Sequence, residues 1–259
     1  MAKLDWLTAR PIAHRGLHGF GPDPAAGAIE NTATAFSAAI AGGYAIETDI
    51  QISADGEAMV HHDDALGRLT EGEGRLANMT ASAIQAVRFK SGGDRILRLT
   101  ELCELVAGRA PLVIEIKSRF DGDLRLARRA AEVLTKYKGP AAVMSFDPAP
   151  IETARHFAPT LPRGIVAERH YAGHEWDALP GSAKFKLAFL LHAPRTRPNF
   201  IAYSVKDLPA VVPLIARNLF GLRLLTWTVR NEAEREIAAR YADQIIFESW
   251  RPNSSFKKS

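Results

Sequence analysis

The stretch "YAIETDIQISADGEAMVHHDD" (44–64) holds two acids two residues apart, a turn, and a return to two histidines and two aspartates. On a β-strand alternate side chains point to opposite faces. Glu47, Asp49, Gln51 and Ser53 therefore share one face, and Ile46, Thr48, Ile50 and Ile52 the other. The apolar face is an ordinary core face; the acidic one needs a reason. Asp55-Gly56 is a strong two-residue hairpin signal. With those two residues as the loop, Asp49 faces His62 and Glu47 faces Asp64, and directly opposed residues lie on the same side of a sheet. The fold-back then gathers Glu47, Asp49 and His62, with His61 on the reverse. A slip of one residue would exchange the two histidines.

Working outward, strand-like runs alternate with helical patterns along the whole chain. The runs are 11–16, 45–53, 57–63, 111–118, 141–147, 163–168, 200–205, 223–229 and 244–249; between them lie stretches such as "LTELCELVAG" and "LRLARRAAEVLTKY". Strands alternating with helices of this length indicate parallel β/α units. No G-x-G-x-x-G follows the first strand, so an eight-fold barrel is favoured over a doubly wound sheet. Nine runs exceed eight, and the surplus is the return arm of the hairpin. The expectation is a single-domain TIM (β/α)8 barrel over 1–259 with a β-hairpin extension after the second strand.

The bulk properties narrow the function. The 259 residues suffice for a large core. One cysteine, Cys103, excludes an internal disulfide and fits a reducing compartment. "MAKLDWLTARP" shows no apolar run after its basic residue, so no secretory leader and a cytoplasmic location are expected. "KLAFLLHAP" (186–194) is far too short to span a bilayer. "SAKFKLAFLLHA" (182–193) reads better as a core-facing helix with exposed lysines than as a lipid-docking surface. The formal charge is +4, but the Lys and Arg are scattered apart from the tail "FKKS", so nucleic-acid binding is not expected.

Two other strand ends carry chemistry. In "PLVIEIKS", Glu115 and Lys117 share a face with Val113; in "PIAHRG", His14 and Arg15 end a strand. Alone, His14 would more often be structural, and Glu115 with Lys117 a salt bridge. Their convergence on the C-terminal end of one barrel, where such folds carry active sites, favours a site. Three carboxylates without a nearby cysteine suit a hard divalent cation, Mg²⁺ or Ca²⁺, better than zinc. Arg15 and Lys117 beside it suggest a phosphate. Two histidines can divide proton transfer between nucleophile and leaving group. The parts add up to phosphoester cleavage.

In order, "IAHRG", "ENTATAFSAAIAGG", "IETDIQISADGEAMVHHDDALGRLT", "IEIKS" and "TWTV" resemble the glycerophosphodiester phosphodiesterases, over roughly residues 10 to 250. The resemblance implies a phospholipase-C-like TIM barrel that hydrolyses glycerophosphodiesters to glycerol 3-phosphate and an alcohol. It implies Glu47, Asp49 and Glu115 as metal ligands, His14 and His62 as the acid–base pair, and Arg15 and Lys117 as phosphate contacts. Glu30 and Asn31 match the family's E-N pair beside the metal. Trp227 would either line the mouth and contact glycerol or sit in the barrel core. Three features depart from the pattern: Arg230 stands where an asparagine is usual, with Asn231 next; "IIFESWRP" replaces T-D-x-P; and the Gly16–Glu30 loop is longer. They bear on substrate choice. The rival readings are a lysophospholipase-D-type enzyme, a metal-independent glycosidase using Glu47 and Glu115, and a catalytically dead binding barrel.

Overall fold

The first strand is only two residues long, Ile12–Ala13, and this brevity shapes the barrel in the computed structural model, which describes residues 4–19, 27–173 and 176–252. The remaining strands are β2 (Ala45–Ile52), β3 (Ala58–Val60), β4 (Leu112–Ile116), β5 (Ala141–Ser145), β6 (Arg163–Ala167), β7 (Phe200–Ser204), β8 (Arg223–Val229) and β9 (Gln244–Phe247). All nine sequence runs are strands. β1 pairs in parallel with both β2 and β9, closing an eight-stranded parallel barrel in the order β1-β2-β4-β5-β6-β7-β8-β9. β1 covers only Ala45 and Ile46 of β2, so the upper edge of β2 is free for β3, which pairs antiparallel with Ile50 to Ile52. The fold is a TIM barrel with one extra strand.

Helices run back between the strands. Their starts follow local capping chemistry: the Thr32 hydroxyl accepts from Ala35 N before the helix Ala33–Ala41, and Asp147 accepts from Ala149 N before Pro148–Phe157. Alternation divides each strand between two cores. Ile46, Ile50, Leu112 and Ile114 pack outward against the helices, with buried Cys103 among them. Ile12, Ala45, Val113, Phe200, Leu225 and Ile246 fill the barrel interior. The interior is thus apolar in its lower layers and turns acidic only toward the C-terminal ends of the strands.

The hairpin differs from its expected form in one respect. Ser53 N donates to Glu57 O at 2.9 Å, so the loop is three residues, Ala54 to Gly56, with Gly56 at φ +84. That is the turn-plus-left-handed-residue form, which adds one residue to the loop. Asp55 stabilises it by accepting from the Ser53 hydroxyl at 2.6 Å and from Ala81 N at 2.8 Å. The resulting register sets Ile50 opposite Val60, one step from the expected pairing.

At Gly164 the interior is closed by contact. A Cβ there would stand 2.2 Å from Cε2 of Phe200, its cross-strand partner. Phe200 is fully buried and has nowhere to retreat. Gly164→Ala should cost about 1–3 kcal/mol, lowering the melting temperature by roughly 2–4 °C per kcal/mol. Thermal unfolding checks this; a variant melting with the parent would contradict the packing.

Candidate active site

β2 and β4 run in a register that makes Asp49 and Glu115 direct neighbours, with Glu47 one pleat below Asp49 on the same interior face. One carboxylate oxygen from each of the three lies within 4.8 Å of the others, and all three residues are buried. Lys117 Nζ sits between two of them, 2.8 Å from Asp49 Oδ1 and 2.7 Å from Glu115 Oε1. Arg15 N donates to Glu47 Oε2 at 3.0 Å, and Arg15 Nε stands 3.3 Å from Asp49 Oδ2 without the geometry of a hydrogen bond. Asn31 completes the support: its amide donates to Asp49 Oδ2 at 3.0 Å while its carbonyl accepts from the Thr48 hydroxyl at 2.7 Å. Glu30 lies one layer out, accepting from Arg15 at 2.8 Å and also from Arg68.

Three acids meet two cations here, and the imbalance falls on Glu47. Burial, then the charges of Asp49 and Glu115, push its carboxyl well above the usual carboxylate range. Burial also pushes Asp49 up, but Lys117, Arg15 and the two histidines outweigh it and hold Asp49 well below that range. Burial would lower Lys117, yet Asp49 and Glu115 raise it above an ordinary lysine. An all-oxygen set with one excess negative charge fits a hard divalent cation.

His14 and His62 both line the cavity above these acids; His61 does not. The hairpin register assigned His62 for the wrong reason. In the observed register the residue beside Asp49 is His61, whose N donates to Asp49 O at 3.1 Å. The strand stops at Val60, so alternation ends there, and the chain turns His62 into the mouth while His61 is buried. Gln51 pins this turn by donating to His62 O at 2.7 Å. Of the two histidines it is thus His62 that lines the cavity, by the turn after the strand and not by strand alternation.

Each imidazole is held in the same manner. His14 Nδ1 is 2.8 Å from Glu248 Oε2, to which Arg230 also donates at 2.8 Å. His62 Nδ1 is 2.8 Å from Asp63 Oδ1, and Arg68 donates to Asp63 Oδ2 at 2.6 Å. Burial raises Glu248, but the His14 bond and nearby cations bring it down to about 2. Asp63 is lowered likewise, by His62 and Arg68 against burial. Both acids are ionised at neutral pH and can only accept. Nδ1 of each ring therefore carries a proton, and Nε2 is left to face the cavity. Burial drives His14 down to about 4 despite Glu248, so it is neutral at pH 7.

The cavity holds about 1160 Å³. Phe120, Phe146, Trp176 and Trp227 form one wall, Trp227 meeting Phe146 edge-on at 5.6 Å. Trp227 is both wall and barrel lining, since it donates through Nε1 to Ala202 O at 2.9 Å. The departures from the family pattern resolve into parts: Arg230 lines the mouth, Asn231 caps the helix Glu232–Tyr241, and Glu248 holds His14. Residues 20–26 of the long loop, and the "FKKS" tail, lie outside the described residues. Glu248 escaped the sequence reading, although its place just past the last strand was a usable signal. The helix Gly181–Ala188 is also a correction. It buries Leu187 but leaves Phe185 56% exposed, and Phe189 beyond its end is 50% exposed, so it is not a core-facing helix. Among the described residues no helix is long and apolar enough to cross a membrane.

A TIM barrel with buried acids, paired imidazoles and cations at its mouth has the build of a phosphodiester hydrolase. The profile of the glycerophosphoryl diester phosphodiesterase family matches residues 14–250, and the chain belongs to that family. It is accordingly a hydrolase of phosphodiester bonds. A glycerophosphodiester phosphodiesterase of Caldanaerobacter subterraneus is 29% identical over 240 residues, covering 88% of this chain and 89% of its own. One from Bacillus subtilis is 25% identical, covering 86% and 77%. Among solved structures, an Oleispira antarctica phosphodiesterase in complex with its product sn-glycerol-3-phosphate shares the fold, with a TM-score of 0.72, 21% identity and 91% of each chain covered. A glycerophosphodiester phosphodiesterase of Agrobacterium tumefaciens has a TM-score of 0.67 at 23% identity, covering 93% and 96%.

The charge imbalance has a measurable consequence. Glu47 holds its proton more tightly folded than unfolded, so its contribution to stability is complete at low pH and is lost as pH rises through its raised pKa. Metal-free protein should therefore gain melting temperature on Glu47→Gln at pH 8, with little gain at pH 4. Thermal scans in chelator at the two pH values check this; equal effects at both would refute the assignment.

Proposed function

We propose that the chain hydrolyses glycerophosphodiesters to glycerol 3-phosphate and an alcohol, with Mg²⁺ or Ca²⁺ on Glu47, Asp49 and Glu115 and proton transfer by His14 and His62. The observation that carries the reading is the pair of imidazoles, each tethered through Nδ1 to a carboxylate and both lining the cavity that Glu47 and Glu115 also line. The Oleispira neighbour's product complex supports glycerol 3-phosphate as the released ester. We read residues 1–259 as one catalytic domain and, from its single cysteine, as cytoplasmic.

The residues divide the work as follows. Arg15 and Lys117 hold the phosphate oxygens, and because their positions are fixed by Glu30, Asp49 and Glu115 before substrate arrives, little reorganisation is needed. A divalent cation on the three carboxylates would supply Lewis-acid polarisation of a phosphoryl oxygen. His14, neutral at pH 7, takes a proton at Nε2 from the attacking water. His62 gives a proton to the leaving oxygen from the same ring position. The aromatic wall excludes water from one side of the diester.

His14→Ala and His62→Ala should each lower turnover by roughly 10²-fold or more, and Asp49→Asn should abolish it with the barrel still folded. The measurement is release of glycerol 3-phosphate from glycerophosphocholine, with and without chelator. Full activity in excess chelator would sink the metal assignment. Lys117→Met should slow glycerophosphocholine, glycerophosphoethanolamine and an uncharged-head diester by a similar factor, because it acts on the phosphate they share. A selective loss on one of them would make Lys117 a head-group residue. A lysolipid in the same panel tests the lysophospholipase-D reading.

A further inference from the structure

The acids of the barrel are not the only cluster able to hold a cation. A ring nitrogen of His14, a ring nitrogen of His18 and a carboxylate oxygen of Glu248 lie within 4.8 Å of one another, and His14 Nδ1 is 2.8 Å from Glu248 Oε2. Donors around a tetrahedral zinc stand about 3.3 Å apart, given metal–ligand bonds near 2 Å. The cluster brackets that spacing. Its chemistry differs from that of its neighbour: two imidazoles and one carboxylate form a borderline set that suits zinc, whereas three carboxylates suit a hard ion.

His18 has no part in the reaction described above, yet its placement is specific. Its ring lies beside the His14 backbone. Its Nε2 is buried and, among the described residues, has no hydrogen-bond partner. A buried nitrogen without a partner is costly. A metal ion shared with the neighbouring imidazole and carboxylate would satisfy such a nitrogen. Arg230 competes for the same Glu248 oxygen, but it is 43% exposed and can turn to solvent.

We propose that His14, His18 and Glu248 form a second, nitrogen-rich site that takes Zn²⁺, and that zinc held there inhibits the enzyme by withdrawing His14 from proton transfer. The binding half stands on this geometry alone. The inhibitory half rests on the proton role proposed for His14.

The experiment uses purified full-length protein with saturating Mg²⁺ or Ca²⁺. Zinc binding is measured by calorimetry, and Co²⁺ is used as a visible-spectrum probe of a tetrahedral nitrogen-containing site. About one equivalent should bind beyond the Mg²⁺ or Ca²⁺ site. His18→Ala, and separately His18→Asn with folding checked by circular dichroism, should weaken zinc by roughly tenfold or more, the least expected when a ligand is lost. Zinc should inhibit the parent, reversibly on chelation. The His18 variants should keep their turnover without zinc and resist inhibition. Zinc binding and Co²⁺ spectra unchanged in both folded variants would overturn the site. Zinc that binds through His18 and leaves turnover untouched would overturn the inhibition, and with it the role given to His14, while the site itself would stand.

Discussion

The ion cluster around Lys117 is the constraint on which the site depends. Burying a carboxylate costs several kcal/mol unless it is paired, and this barrel buries three of them above an apolar interior. One ammonium, touching both Asp49 and Glu115, makes two of those burials tolerable. It can do so only because β2 and β4 are in parallel register with Asp49 beside Glu115. Arg15 and Asn31 then fix the remaining oxygens, and both have left-handed backbone, at φ 54 and φ 59. The third acid is left in excess, and that surplus is what gives the group its capacity for a cation.

Around this centre the protein builds the same device twice. An arginine holds a carboxylate, the carboxylate holds Nδ1 of a histidine, and the histidine lines the cavity. The two differ in how far they reach along the chain. His62 and Asp63 are adjacent, with Arg68 five residues further on. His14 depends on residues from the far end of the sequence. Glu30 ties the centre to one of these arms by bridging Arg15 and Arg68.

How much of this could be read from the sequence depended on the range of each interaction. Strands and acids were legible because alternation is local: Glu47 and Asp49 against Ile46 and Ile50 define a face without knowledge of any partner. The barrel followed from the succession of such runs. The hairpin register was not legible, because Asp-Gly reads as a two-residue loop unless Ser53 and Asp55 are seen to build a longer one. Glu248 was passed over because an acid after a strand reads as solvated, and its partner lies 234 positions away. The helix Gly181–Ala188 misled because its apolar residues promise burial that the fold gives only to Leu187.

The bond between His14 and Glu248 joins the first strand end to the last. β1 is closed against β9 at Ile246 and Phe247, and His14 N donates to Phe247 O. A ribosome delivering this chain would release the acids of β2 and β4 early, but the first histidine would have no carboxylate to orient it until the final strand emerged. Closure of the cylinder and orientation of that imidazole are therefore one event. A product lacking β9 and Glu248 would carry most of the charged cluster with an unanchored His14, so the last strand of the barrel decides how its first histidine is held.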